Sequence, residues 1–135
     1  MQIKEITSKL EERFESRDLK RHFNKHTSKD GKSLDPNYPN DISFKYEDIP
    51  DMKTYDDRAD AFVRIPITDP DMRGFVRDDG KYLKYNVKTQ EFSVYAIENG
   101  KPVNITYTPI TREQWEKIKK RSVYSHSIDP KEDVK

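Results

Sequence analysis

The dipeptides Asp79-Gly80 and Asn99-Gly100 limit the folds open to this chain more than anything else in it. A type I′ turn needs positive φ at both central residues, which suits Asp-Gly and Asn-Gly, and each pair lies between runs rich in tyrosine and valine. They predict a meander of four strands, roughly 73–78, 81–86, 91–97 and 102–108. Counting outward from two-residue turns sets Val94 opposite Ile105, Ser93 opposite Thr106 and Tyr95 opposite Asn104. The first hairpin likewise sets Val76 against Leu83 and Phe75 against Lys84. With residues 87–90 as the loop between the hairpins, Leu83 meets Val94 and Lys84 meets Ser93. One face then carries Val76, Leu83, Val94 and Ile105, with Tyr85, Phe92 and Tyr107 beside them. The other carries Lys84, Ser93 and Thr106, flanked by Arg77, Tyr82, Tyr95 and Asn104.

An apolar sheet face needs a cover, and amphipathic helices supply it. Ile3, Ile6, Leu10 and Phe14 recur at helical spacing, and Leu19 with Phe23 extends the pattern into a helical region over 1–26. Glycine, prolines and Asp/Asn clusters make 27–50 a long loop, carrying one short strand around Ile42–Tyr46. Thr54 as N-cap, with Tyr55, Ala59, Phe62 and Val63 at helical spacing, gives a helix over 54–65 that Pro66 stops. Thr111 and Gln114 form a capping box that opens a basic helix over 111–121, and 122–135 reads as a flexible tail. The expected fold is therefore α+β: N-terminal helices packed on a four- to five-stranded antiparallel meander, with a short C-terminal helix.

At 135 residues the chain suits one domain, 1–135. A hydrophobic fraction of 32% against 38% charged residues leaves a small core, which eight tyrosines and six phenylalanines make partly aromatic. The net charge of +1 means that any attraction for nucleic acid must be local. Without cysteine there is no disulfide framework, no thiolate nucleophile and no cysteine-ligated zinc. The N-terminus lacks the apolar run of a signal peptide and no stretch has the length of a membrane span, so an exported form would need another carrier.

Two features invite chemistry. The polar sheet face is either a solvated surface or a platform where cations and hydroxyls converge on phosphate and tyrosines stack on bases. In RHFNKH, His22 and His26 stand at i and i+4 near a helix end, either as proton-transfer groups or as a solvated helix terminus. The same spacing can bind zinc, but the HExxH glutamate is missing and Lys25 lies between them. No glycine-flanked serine elbow supports a serine hydrolase.

The order of elements resembles a family. An HFxxH helix (His22, Phe23, His26) is followed by a YxxxAxxF helix (Tyr55, Ala59, Phe62). Next comes a YNxxTxEFxVY strand pair (Tyr85, Asn86, Thr89, Glu91, Phe92, Val94, Tyr95), and then a strand ending in Thr106, Tyr107 and Pro109. Over roughly residues 20–110 this is similar to toxin domains of the barnase/EndoU/colicin/RelE ribonuclease superfamily, found at the C-termini of contact-dependent growth inhibition and other polymorphic bacterial toxins, and also as stand-alone or phage-encoded proteins. The resemblance implies a metal-independent, cofactor-free endoribonuclease acting in the cytoplasm on RNA, transfer RNA among the candidates. It also implies a cognate immunity protein, with neither DNA nor membrane as partner. The chain departs at Thr27, where the family commonly has glycine, and at Thr108, where it often has lysine or arginine.

Metal-free RNA cleavage needs a base for the 2′-hydroxyl proton, cations for the phosphorane and an acid for the leaving oxygen. On the expected face Lys84 or Arg77 stabilises the phosphorane, Thr106 and Ser93 position it, and Tyr82 or Tyr95 stacks or bridges a proton. His22 and His26 are the proton-transfer candidates, with only one of the two reaching the phosphate. Lys25, Asn86, Asn104, Lys117, Lys120 and Arg121 complete the expected RNA contacts. The alternative is a non-catalytic interaction module, or a phage accessory protein, on the same scaffold.

Overall fold

The computed structural model describes residues 12–35, 37, 41–121 and 124–127. It is an α+β protein whose main sheet has the strand order β1-β7-β6-β5-β4-β8. In chain order the elements are β1 (Glu15–Ser16), α1 (Leu19–His26), β2 (Thr27–Ser28), β3 (Phe44–Lys45), α2 (Met52–Arg64), β4 (Met72–Arg77), β5 (Tyr82–Asn86), β6 (Glu91–Glu98), β7 (Lys101–Pro109), α3 (Arg112–Arg121) and β8 (Tyr124–Ser127). β4 to β8 pair antiparallel, β1 joins β7 in parallel, and β2 with β3 forms a separate parallel pair. Among the described residues no helix is long and apolar enough to cross a membrane.

The second hairpin turns as its sequence dictates: Asn99 and Gly100 both have positive φ, 53° and 77°, and Glu98 pairs with Lys101. The pairing of β5 with β6 also has the expected register, Leu83 with Val94 and Lys84 with Ser93. The first hairpin differs. Gly80 alone has positive φ, and Arg77 and Gly80 are joined by a Gly80 N–H to Arg77 carbonyl bond. The loop is three residues long, Asp78 to Gly80, because Arg77 pairs directly with Lys81. That extra residue moves β4 by one: Phe75 faces Leu83 and Val76 faces Tyr82, in place of Val76–Leu83 and Phe75–Lys84. A second slip occurs in β7, where the register shifts opposite Val94 and Tyr95 so that Ile105 is skipped in the pairing with β6, Val94 faces Thr106 and Ser93 faces Tyr107.

These two slips redistribute the faces. Phe75, Leu83, Tyr85, Phe92 and Val94 lie under α3, whose Trp115 is fully buried against the rings of Phe75, Tyr85 and Phe92 at 5.5, 5.0 and 6.0 Å. Val76, Tyr82, Tyr95 and Tyr107 lie under α2, with Phe62, Val63 and Tyr55, and Leu19 and Phe23 bring α1 onto the same face. The sheet is thus covered on both sides, and the helices are not all N-terminal. The polar face expected to be open is interior.

Local chemistry sets the helices. Asp51, not Thr54, is the N-cap of α2, its carboxylate accepting the Thr54 N–H at 2.7 Å. The acidic face of α2 then grips the incoming chain: Asp60 accepts the Phe14 N–H at 2.8 Å and Asp56 the Ser16 N–H at 3.1 Å. A continuous helix through Phe14 to Phe23 does not form, since Glu15–Ser16 is a strand and Asp18, at φ 48°, starts α1 afresh. Residues 1–11 of that expectation lie outside the described residues. Of the expected tail, Tyr124–Ser127 is a strand on β4, and 128–135 lie outside the described residues. Within the expected long loop, β2 pairs with β3 and Lys32 bridges to Ile42.

Candidate functional site

The sheet residues expected to handle phosphate do not form a site. Lys84 is 3% exposed, and its ammonium donates to the carbonyls of Val63, at 2.8 Å, and of Ile65, where α2 ends. The last carbonyls of a helix lack intrahelical donors, and a lysine rising from the sheet supplies them. Burial lowers the Lys84 pKa to about 8. Thr106 cannot join it, because the shift at Ile105 puts Thr106 beside Val94 on the opposite face. Ser93 donates to Asn104 at 2.9 Å, and Asn104 donates to the Ala59 carbonyl of α2 at 3.0 Å, tying sheet to helix. Tyr82 and Tyr95 stack on one another at 5.5 Å, both buried, and burial raises the Tyr95 hydroxyl pKa.

Arg77 forks onto the turn residue Asp79 at 2.7 and 3.0 Å, and Asn86 accepts the N–H groups of Lys88 and Thr89 in the next turn. On α3, Lys117 pairs with Glu113 and Lys120 is exposed. The Arg121 side chain lies outside the described residues.

The groups that do converge line a cleft of about 630 Å³. One wall is the end of α1, with Arg21, Asn24, Lys25 and His26. Leu34, Asp35, Asp41 and Ser43 also line it, as do Thr108, Pro109 and Ile110 at the end of β7 and Gln114 of α3. Sequence periodicity brought forward His26 and Lys25 only, with Thr108 flagged as a departure. Arg21 and Asn24 come from α1, Pro109, Ile110 and Gln114 from the end of β7 and from α3, and Leu34, Asp35 and Asp41 from a stretch whose sequence carries no periodic signal.

The two histidines are unequal. Their rings stack with centroids 5.8 Å apart, but His22 Nδ1 donates to the Arg17 carbonyl at 2.7 Å, which turns it back along its own helix. Only His26 lines the cleft. Burial, and then the proximity of His22 and Lys25, lowers the His26 pKa to about 3, so its imidazole is neutral at physiological pH. Thr27, in extended backbone, donates through its hydroxyl to the Phe23 carbonyl and so closes α1. Its departure from glycine is thereby given a structural use.

No protein-family model, curated protein or solved structure matches the chain.

Proposed function

We propose that the chain is a toxin-type endoribonuclease that cleaves RNA without a metal at the cleft between α1 and the end of β7. One observation supports this most. The histidine helix and the end of the strand that carries Pro109, distant in sequence and both part of the resemblance, line the same cleft together with the cations Arg21 and Lys25. In this reading the neutral His26 takes the proton of a ribose 2′-hydroxyl, and the 2′-oxygen attacks the adjacent phosphorus. The 5′-oxygen leaves and takes a proton from water, giving a 2′,3′-cyclic phosphate end. Lys25 and Arg21 offset the charge on the phosphorane, and the Thr108 hydroxyl orients it. The low pKa keeps the His26 imidazole free of a proton but makes it a weak base, and a bound phosphate, by raising that pKa, strengthens it for the transfer.

The resemblance extends the proposal to transfer RNA as substrate class, to action in the cytoplasm and to restraint by a cognate immunity protein. The test is incubation of the purified chain with RNA in the presence of a chelator, followed by mapping of the ends produced.

A second reading, a non-catalytic interaction module, draws on a specific observation. Thr108 stands in the cleft where resembling domains often carry a cation, and Lys84 is used as a helix cap. Equal RNA stability with the wild-type chain and with His26→Ala would favour it.

A further inference from the structure

The cleft walls differ in a way that cleavage alone does not require. Arg21 and Lys25 of α1 suit a phosphate, whereas Asp35 and Asp41, which line the same cleft from the stretch between β2 and β3, would repel one. Beside those acids Leu34 is 58% exposed, a large apolar side chain left in water at the rim of a cavity. A volume of about 630 Å³ exceeds what a phosphate fills and falls in the range of small-molecule sites.

Asp41 is also held in place. Gln114 Nε2 donates to Asp41 Oδ1 at 2.6 Å, while Gln114 Oε1 accepts the Thr111 N–H at 2.8 Å. Because only the amide oxygen can accept from that N–H, only the amide nitrogen can face Asp41. Trp115, the next residue, seats α3 on the sheet. Among the described residues this leaves the Oδ2 atom and one lone pair of Oδ1 as acceptors on a fixed carboxylate.

We propose that this wall is a nucleobase subsite in which Asp41 accepts from the exocyclic amino group of a base, Leu34 covers the base's face, and Gln114 is the positioning residue. This rests on reading the cleft as an RNA site. Adenine, guanine and cytosine each offer an amino donor, whereas uracil flanks its one N–H with two carbonyl oxygens that a carboxylate repels. The subsite therefore favours amino-bearing bases over uracil.

The test is a titration of the full chain with the four nucleoside 3′-monophosphates, read by calorimetry. Uridine monophosphate should bind about tenfold more weakly than cytidine monophosphate, and Asp41→Asn, which turns an amide donor toward the base, should erase that difference. Gln114→Glu keeps the Thr111 cap but sets one carboxylate against another, so it should weaken cytidine monophosphate binding about tenfold. Adding Asp41→Asn to Gln114→Glu rebuilds the hydrogen bond with donor and acceptor exchanged and should restore the preference, which a defect in folding alone would not allow. Equal binding of all four nucleotides, an unchanged preference in Asp41→Asn, or no binding at millimolar concentration overturns the proposal. Selective binding without RNA cleavage supports this subsite and removes the cleavage reading, whereas cleavage without the preference removes only the subsite.

Discussion

Lys84→Met should destabilise the fold, and by an amount that grows with pH. The methionine matches the lysine stem but donates nothing, so the carbonyls of Val63 and Ile65 at the end of α2 lose their partner inside a buried layer. Orphaning buried acceptors costs about 1–3 kcal/mol each, or about 2–4 kcal/mol for two that share one donor group. Charge works the other way. The folded-state pKa of about 8 lies below the ordinary lysine value of 10.5, so between those values the unfolded chain binds more protons and wild-type stability rises with pH. From pH 7 to pH 9 this amounts to about 1 kcal/mol, and the neutral amine still has two N–H groups for the two carbonyls. The methionine variant lacks that rise, so its deficit should widen by about 1 kcal/mol over the interval. Urea unfolding of both proteins at several pH values measures it. The range should stop short of pH 10, about the ordinary tyrosine value, because buried Tyr55, Tyr95 and Tyr107 have raised pKa values and pull stability down above it. A deficit that does not change with pH, or a variant as stable as wild type, would refute the assignment of Lys84 as a buried cap.

Other outcomes follow from the same geometry. His26→Ala should lower RNA cleavage about a hundredfold or more and His22→Ala only a few-fold, measured as kcat/KM with both variants checked for folding by circular dichroism. The kcat/KM profile of the wild type should lack the acid-side inflection near 6.5 that an ordinary histidine base gives, because the free protein holds His26 neutral down to about 3. For the same reason the unfolded chain binds more protons between about 3 and 6.5, so thermal stability should fall as pH drops through that window, and less so in His26→Phe. Trp115→Ala should cost about 3–5 kcal/mol in denaturant unfolding, since the indole fills the layer between α3 and the sheet.

Where the chain's local chemistry decides a feature alone, its sequence was a sufficient guide. Asn99-Gly100 set the second hairpin, and the Thr111–Gln114 capping box forms with bonds of 2.8 and 3.1 Å. The pairing of β5 with β6 followed from counting across a four-residue loop. Counting failed where one residue more or less could be absorbed: Asp78 enters the first turn, and Ile105 drops out of the β7 ladder. Each slip is one residue and so moves side chains to the opposite face. The largest misreading came from polarity. Lys84, Ser93 and Asn104 look like a solvated row, yet all are buried: Lys84 and Asn104 satisfy carbonyls that α2 brings with it, and Ser93 donates to Asn104. A pattern of residue types cannot show which polar groups will face it across a layer. The cleft was half legible: the histidine spacing marked one wall, while Asp41 and Gln114 meet across 73 positions and only the fold joins them.

The most direct test of the proposed function is end analysis of RNA incubated with the purified chain in excess chelator, alongside His26→Ala. The expected result is fragments ending in 2′,3′-cyclic phosphate from the wild type and almost none from the variant. Intact RNA with both proteins, or equal cleavage by both, would contradict the assignment of the α1–β7 cleft as a ribonuclease centre.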